Sequence, residues 1–230
     1  MSDSSKSDMV MMFVDKSGAP VWAESTLGVL PGDPLMKGFT AIQSYDDYSS
    51  FFEVSTFSFS VALNPQDQGT GALSQQTQTA SPSGSAPAAQ DQFSAWRSAS
   101  ASDYKSIHFP LEFDSFSFSR VIDGASPIFF AACCNQESFR HVALVKRAAV
   151  GMLGGSRMQS VGFLRLDFRD VLLTGINWDD GDLVTESCTF ICKAMKVRYS
   201  RQMADGQMLP SVEANWDQQK DGSANTSGAT

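Results

Sequence analysis

Histidine and cysteine are scarce in this sequence, with two and four copies among 230 residues. The cysteines form two local pairs, Cys133 with Cys134 and Cys188 with Cys192, and no histidine stands near them at the spacing of a zinc site. A chain of this length can stabilise a core without disulfide bonds. We therefore predict reduced thiols and no metal site.

Basic residues and long apolar runs are also few. The 17 basic residues stand against 25 acidic ones, for a net charge of -8, which disfavours binding to nucleic acid or to anionic lipid. The longest apolar run, Ile128–Cys134, is far shorter than the ~18 residues that cross a bilayer. The polar start of the chain, residues 1–8, lacks the basic and apolar parts of a signal peptide. We predict a soluble protein that does not insert into membranes or use the general export route.

Phenylalanine is abundant, with 17 copies, and it alternates with small polar residues. This composition favours strands over helices. In the clearest run, Phe57, Phe59, Val61 and Leu63 share one face of a predicted strand. The opposite face carries the small polar residues Thr56, Ser58 and Ser60, with Ala62. The aromatic–serine pattern recurs at residues 115–119.

Further strands are predicted at residues 9–14 and along most of the chain after residue 140. A short helix is predicted to start at Ser126 as the N-cap, with Pro127 in the first helical position. The apolar face switches near Arg169 and Asp170, which predicts a bend or bulge. These elements predict an all-β, β-rich fold in which two antiparallel sheets close into a β-barrel with one flanking α-helix.

Two segments have compositions that do not favour packing. Residues 66–106 are rich in Gln, Ser, Ala and Thr, which predicts a long low-complexity loop within one domain of residues 1–217. Residues 218–230 are predicted to be a flexible polar tail.

None of the motifs in the sequence indicates an enzyme. The glycine-rich residues 151–156 lack the Gly-Lys-Ser/Thr ending of a phosphate-binding loop and are interpreted as a turn. The acidic residues 179–182 lack the terminal glutamate of a calcium loop and are interpreted as a hairpin turn. We predict no catalytic residue and no cofactor.

Phe116–Pro127, followed by a helix with Ala132–Cys134, resembles the hemolysin-coregulated protein (Hcp) family, the tube-forming proteins of bacterial type VI secretion. Two strands of the front half, Val10–Val14 and Phe57–Ser60, also resemble the family. Six more family-like segments follow in the family's order: Phe139–Lys146, Phe163–Leu172, Leu183–Ser187, Lys196–Tyr199, Ala204–Gly206 and Asn215–Asp217.

The resemblance implies a tail-tube-like subunit that forms homo-hexameric rings, which stack into a hollow tube. It implies assembly in the cytoplasm with a baseplate, a contractile sheath and a spike protein, followed by expulsion with secreted effectors and without a signal peptide. It also implies that Thr56, Ser58 and Ser60 face the lumen and contact cargo. The alternative is a phage or phage-like contractile tail tube protein, which shares the fold and differs in its partners.

Overall fold

The structure is a computed structural model that describes residues 8–29, 32–42, 48–63, 111–113, 115–150, 159–201, 203, 208–218 and 224–227. These residues fall into two compact units. The larger unit comprises residues 1–60 and 114–230, and the smaller comprises residues 61–113. The predicted loop at residues 66–106 and the glycine-rich residues 151–156 lie outside the described part of the chain.

The described elements are mostly strands, with one α-helix, α1 (Ser126–Cys134), and one short 3₁₀ helix (Pro34–Met36). This confirms the predicted β-rich class with a single α-helix. Within the described ranges, neither helix is long and apolar enough to cross a membrane. The strands are β1 (Met9–Val14), β2 (Phe52–Val54), β3 (Thr56–Ser58), β4 (Val61–Leu63), β5 (Leu111–Phe113), β6 (Phe116–Val121), β7 (Ser138–Val150), β8 (Gln159–Asp180), β9 (Val184–Ile191), β10 (Ala194–Tyr199), β11 (Val212–Asp217) and β12 (Ala224–Ser227).

All described strand pairs are antiparallel, as predicted. Ten strands of the larger unit form one branched sheet, with β12-β11-β10-β8-β7-β1-β2 on its main path and β9, β6 and β3 branching from β8. In the smaller unit, β4 pairs with β5. The strand predicted from the alternation at residues 56–63 is thus two strands, because β3 ends at Ser58 and β4 begins at Val61.

The sheet turns corners where a strand changes partner. The first half of β8 pairs with β7 and β10, whereas its second half pairs with β9. Likewise β2 pairs with β1, and β3, which follows after Ser55, pairs with β6. Such partner switches at bends are how strands of two packed layers join. The described strands form an open, branched sheet, so closure into a barrel stays a prediction.

Asp170 makes the corner in β8. Its φ of 49° lies in the left-handed region, and it follows Arg169, the last residue that pairs with β10. Buried apolar side chains occupy even positions before it, at Leu166 and Phe168, and odd positions after it, at Val171 and Leu173. The face switch predicted at Arg169 and Asp170 is confirmed.

The core lies on both sides of β1. Val10 and Met12 pack with buried residues of the segment that precedes β2, including Leu27, Met36 and Phe51. Phe13, on the alternate face, contacts a cluster of aromatic rings with centroid distances of 4.7 to 5.9 Å: Phe52, Phe118, Phe129 and Phe139. Because both faces are covered, β1 reads as a continuous apolar run.

Two local features differ from the prediction. Ala125, not Ser126, is the N-cap of α1, and it makes no side-chain cap. The hydroxyl of Ser126 instead accepts a hydrogen bond from Nη2 of Arg120 at 2.7 Å. Within residues 218–230, which the composition predicts to be a flexible tail, Ala224–Ser227 forms β12 and pairs with β11.

Candidate functional site

Two adjacent rows of small uncharged residues, most of them polar, cross one face of the four strands β3, β6, β9 and β8. In one row across the sheet, Thr56 pairs with Ser119, and Ser119 with Ser187, which pairs with Asn177. In the next row, Ser58 pairs with Ser117, and Ser117 with Thr189, which pairs with Gly175. We call the six hydroxyl-bearing residues of these rows the hydroxyl face: Thr56, Ser58, Ser117, Ser119, Ser187 and Thr189.

Hydrogen bonds between neighbouring strands connect these hydroxyls. The Oγ atoms of Ser58 and Ser117 lie 2.8 Å apart, and those of Ser119 and Ser187 lie 2.9 Å apart. Thr174 Oγ1 donates to Thr189 Oγ1 at 3.1 Å. The hydroxyls therefore hold one another in place, and the face stays polar without carrying charge.

Gly175 makes room for this arrangement in β8. A β-carbon at that position would lie 2.7 Å from Oγ1 of Thr189, closer than such atoms approach. The register between β8 and β9 shifts between Leu173 and Gly175, as at a bulge. The bulge and the missing side chain together bring Thr189 against the β8 backbone.

The opposite face of the same strands is aromatic and buried. Phe116 stacks on Phe190 with ring centroids 5.1 Å apart, and Phe57 lies 6.4 Å from Phe116. Phe118, which pairs with Phe57, and Cys188, which pairs with Phe118, are also buried. Because side chains of a strand alternate between faces, burial of the aromatic rings fixes the serines and threonines outward.

Two of the three residues predicted to line a lumen belong to the hydroxyl face. Thr56 and Ser58 lie in β3 with exposed side chains. Ser60 is exposed but lies beyond the end of β3. The recurrence of the aromatic–serine pattern at residues 115–119 was the signal for the second strand, since β3 and β6 pair directly. The contribution of β9 could not be read from the sequence, because the pairing joins residues far apart in the chain.

A buried ion pair fixes the strands behind this face. Arg120 and Glu186 are both fully buried, and Nε of Arg120 donates to Oε1 of Glu186 at 2.9 Å. Arg120 also donates to Asp123 and Ser126, each at 2.7 Å, and its guanidinium lies 4.2 Å from the centre of the Phe52 ring. The sequence signal that we missed is a charged residue in phase with the buried Phe116 and Phe118. Such a charge needs a partner in the core.

A second polar network surrounds Asp167 on the other half of the sheet. Its carboxylate accepts hydrogen bonds from Arg165 at 2.9 Å and from Arg198 at 2.7 Å, and it lies 3.0 Å from Nε2 of His141. Burial raises the pKa of Asp167, but the hydrogen bonds from His141 and the two arginines outweigh it and hold the pKa well below its usual range. Arg165 also donates to the backbone oxygens of Leu35 and Lys37. This network thus ties the 3₁₀ segment to the sheet.

Other polar groups considered from the sequence occupy structural positions. Burial raises the pKa of the Cys188 thiol well above its usual range and that of Cys192 to about 12, so both thiols stay protonated. Residues 179–182 lie at the connection between β8 and β9, which confirms the hairpin turn. In the described ranges, no three His, Cys, Asp or Glu side chains lie close enough together to hold a metal ion.

Comparison with known proteins gives a family-model match over part of the chain and a likeness of fold. Residues 90–199 match the family model described as "Type VI secretion system effector, Hcp". The fold is similar to that of a solved type six secretion system protein, with a TM-score of 0.58 and 14% identity over 94% of this chain and 99% of that one. It is also similar to a mutant of the Hcp1 protein from E. coli EAEC 042 pathovar, with a TM-score of 0.51 and 12% identity over 91% of this chain and 97% of that one. None of the curated proteins compared with the chain matches it.

Proposed function

We propose that this chain, which matches the Hcp family model over residues 90–199 and has a similar fold, is a structural subunit of the type VI secretion tube. In this proposal, six subunits form a ring, the rings stack into a hollow tube, and the hydroxyl face of each subunit is turned toward the lumen. The observation that carries the proposal is the hydroxyl face itself.

A conduit needs an inner wall to which passing proteins do not adhere tightly. Exposed apolar patches bind other proteins, and exposed charges select cargo of the opposite sign. The hydroxyl face has neither feature, because its six side chains are serines and threonines whose hydroxyls largely bond one another. Such a surface offers cargo weak hydrogen bonds and little else. Thr56 and Ser58 would touch cargo in the lumen, with Ser60 beside them.

We also propose that the protein is not an enzyme. The cysteine thiols of Cys188 and Cys192 stay protonated, and the carboxylate of Asp167 is occupied by two arginines. His141, the one described histidine, lies against this same carboxylate. These groups stabilise the sheet, and a tube subunit requires nothing more of them.

The partners and the location follow from tube membership. The subunit would assemble in the cytoplasm with the baseplate, the contractile sheath and the spike, and would then be expelled together with effectors. Its net charge of -8 is unfavourable for nucleic acid in the lumen. If the protein were still released into the medium after a type VI sheath component is deleted, this route would be contradicted.

Electron microscopy of the purified protein tests the assembly directly. We expect rings with six-fold symmetry and a central pore. Compact monomers at micromolar concentration and above would contradict the proposal. If rings form but an antibody or a thiol probe reaches the hydroxyl face from outside, the proposed ring holds and the proposed lumen orientation is wrong.

A further inference from the structure

An exposed apolar cluster lies where the β8–β9 hairpin meets α1. The rings of Phe130 and Trp178 have centroids 5.8 Å apart, and each side chain is about half exposed. Leu183 and Val184, at the hairpin connection, are 64% and 42% exposed. We call these four residues the hairpin patch: Phe130, Trp178, Leu183 and Val184.

The strand register places Trp178 and Val184 of this patch on one face. Trp178 pairs with Glu186, and Asp180 pairs with Val184, so these four side chains project to the same side. Nε1 of Trp178 donates to Oε2 of the buried Glu186 at 2.8 Å. The indole is therefore held in one orientation before any partner arrives, which lowers the entropic cost of binding.

The surroundings of the patch are acidic. Between Arg169 and Lys193 the chain has five acidic residues and no basic one. Glu186 is paired with Arg120, but Asp180 and Asp182 are exposed, and none of the ion pairs found in the described ranges includes them. Residues 121–139, which include α1, add two acidic residues and again no basic one.

We propose that the hairpin patch docks a basic amphipathic segment of another protein. The apolar side chains of that segment would cover Phe130, Trp178 and Leu183, and its lysines or arginines would face the aspartates of the hairpin. Exposed aromatic residues supply most of the binding energy at protein interfaces, and complementary charge selects and steers the partner. A second copy of this chain is the alternative occupant, and the sedimentation measurement described below distinguishes it from a basic partner.

The patch lies on the side of β8 and β9 opposite the hydroxyl face. Glu186 points to the patch side and its neighbour Ser187 to the hydroxyl side, since adjacent strand residues alternate. A partner at the patch would therefore not compete with cargo at the hydroxyl face. This docking site is independent of the tube proposal, and each can fail while the other holds.

Binding of a synthetic amphipathic leucine–lysine peptide, measured by fluorescence anisotropy, tests the site. A leucine–glutamate peptide of the same length and pattern is the control probe, and it should not bind. We expect the double variant Phe130→Ser, Leu183→Ser to weaken binding of the basic peptide about tenfold or more. Val212→Ser, which removes an apolar residue that is 55% exposed on β11, should leave binding unchanged.

Charge variants give a second measurement that does not depend on the apolar substitutions. Asp180→Asn with Asp182→Asn should weaken binding severalfold and reduce its dependence on salt. Asp170→Asn is the control. It removes one charge at the far end of the part of β8 that follows the corner, and it should not change binding of the basic peptide. Equal binding to the wild type and to both sets of patch variants would overturn the proposal. A change in the protein's own sedimentation caused by Phe130→Ser, Leu183→Ser would also overturn it, because the patch would then be a contact between copies.

Discussion

The hydroxyl oxygens of Ser58 and Ser117 lie 2.8 Å apart across the β3–β6 pair, although 59 positions separate them in the chain. The adjacent pair, Phe57 with Phe118, points the other way into the aromatic core. The two serines are thus on the same face because the two phenylalanines are on the opposite one. This relationship defines the hydroxyl face and the first predictions about it.

Ser58→Arg should leave the subunit folded and should impair cargo retention. The side chain of Ser58 is exposed, so the substitution removes one hydrogen bond at a cost of about 1 kcal/mol and requires no burial of charge. In a lumen, it would add a bulky cation to every subunit of a ring. The measurement is the amount of a tagged effector that purifies with the tube protein. Ser17→Arg, at an exposed serine in the turn after β1, is the matched control. Loss of rings in Ser58→Arg alone would count against the lumen position.

A thiol placed at Ser58 should be protected by assembly. Because Cys134 is exposed, the test uses Ser58→Cys in a Cys134→Ser background. A bulky maleimide should label this thiol rapidly in the free subunit and slowly in the assembled tube. Val212→Cys in the same background reports on an exposed strand position outside the hydroxyl face. Equal labelling rates for Ser58→Cys in the two states would reject the lumen orientation.

The protein should sediment as a closed ring. A homo-oligomer with cyclic symmetry satisfies its interfaces without open ends, and sheet edges that pair within a ring are protected from uncontrolled association. Analytical ultracentrifugation or mass photometry at micromolar concentration should show a species of six subunits. Finding only the 24.9 kDa subunit would be inconsistent with this prediction.

Arg120→Met should destabilise the subunit by about 3–5 kcal/mol, because it leaves the carboxylate of Glu186 buried without its cation. Chemical denaturation measures the change in the free energy of unfolding. Lys196→Met is the control, since the Lys196–Glu213 pair is about one-third exposed and should contribute less than about 1 kcal/mol. Equal, small effects of the two substitutions would mean that the buried pair contributes little to stability.

Acid should destabilise the wild type more than Asp167→Asn. The pKa of Asp167 is lowered in the folded state, so its ionised form contributes stability above its unfolded pKa. That contribution is lost as the pH falls below the unfolded pKa and toward the lowered folded pKa. The free energy of unfolding should therefore fall less steeply with acid in Asp167→Asn. Asp180→Asn, an exposed site outside the network, should keep the wild-type slope.

Much of the strand and helix content could be predicted from local patterns. The alternation of phenylalanine with serine indicates which side of β3 is buried, and the face switch at Asp170 indicates the corner in β8. The predicted N-cap of α1 was wrong, because the Ser126 hydroxyl bonds Arg120 from another part of the fold rather than the backbone of its own helix. β12 was not predicted because pairing with β11 orders residues whose composition alone suggests a tail.

The sequence by itself determined the β-rich class, the two-faced strands and the resemblance to a tube-forming family, since side-chain period and motif order are properties of neighbouring residues. Only the tertiary structure decided that β3, β6, β9 and β8 lie side by side and merge their polar faces into one. It also decided that Arg120 meets Glu186 and that Trp178 is held beside Phe130. The physical reason is that strand register is set by packing between distant segments, whereas the alternation within each strand fits many possible neighbours equally well.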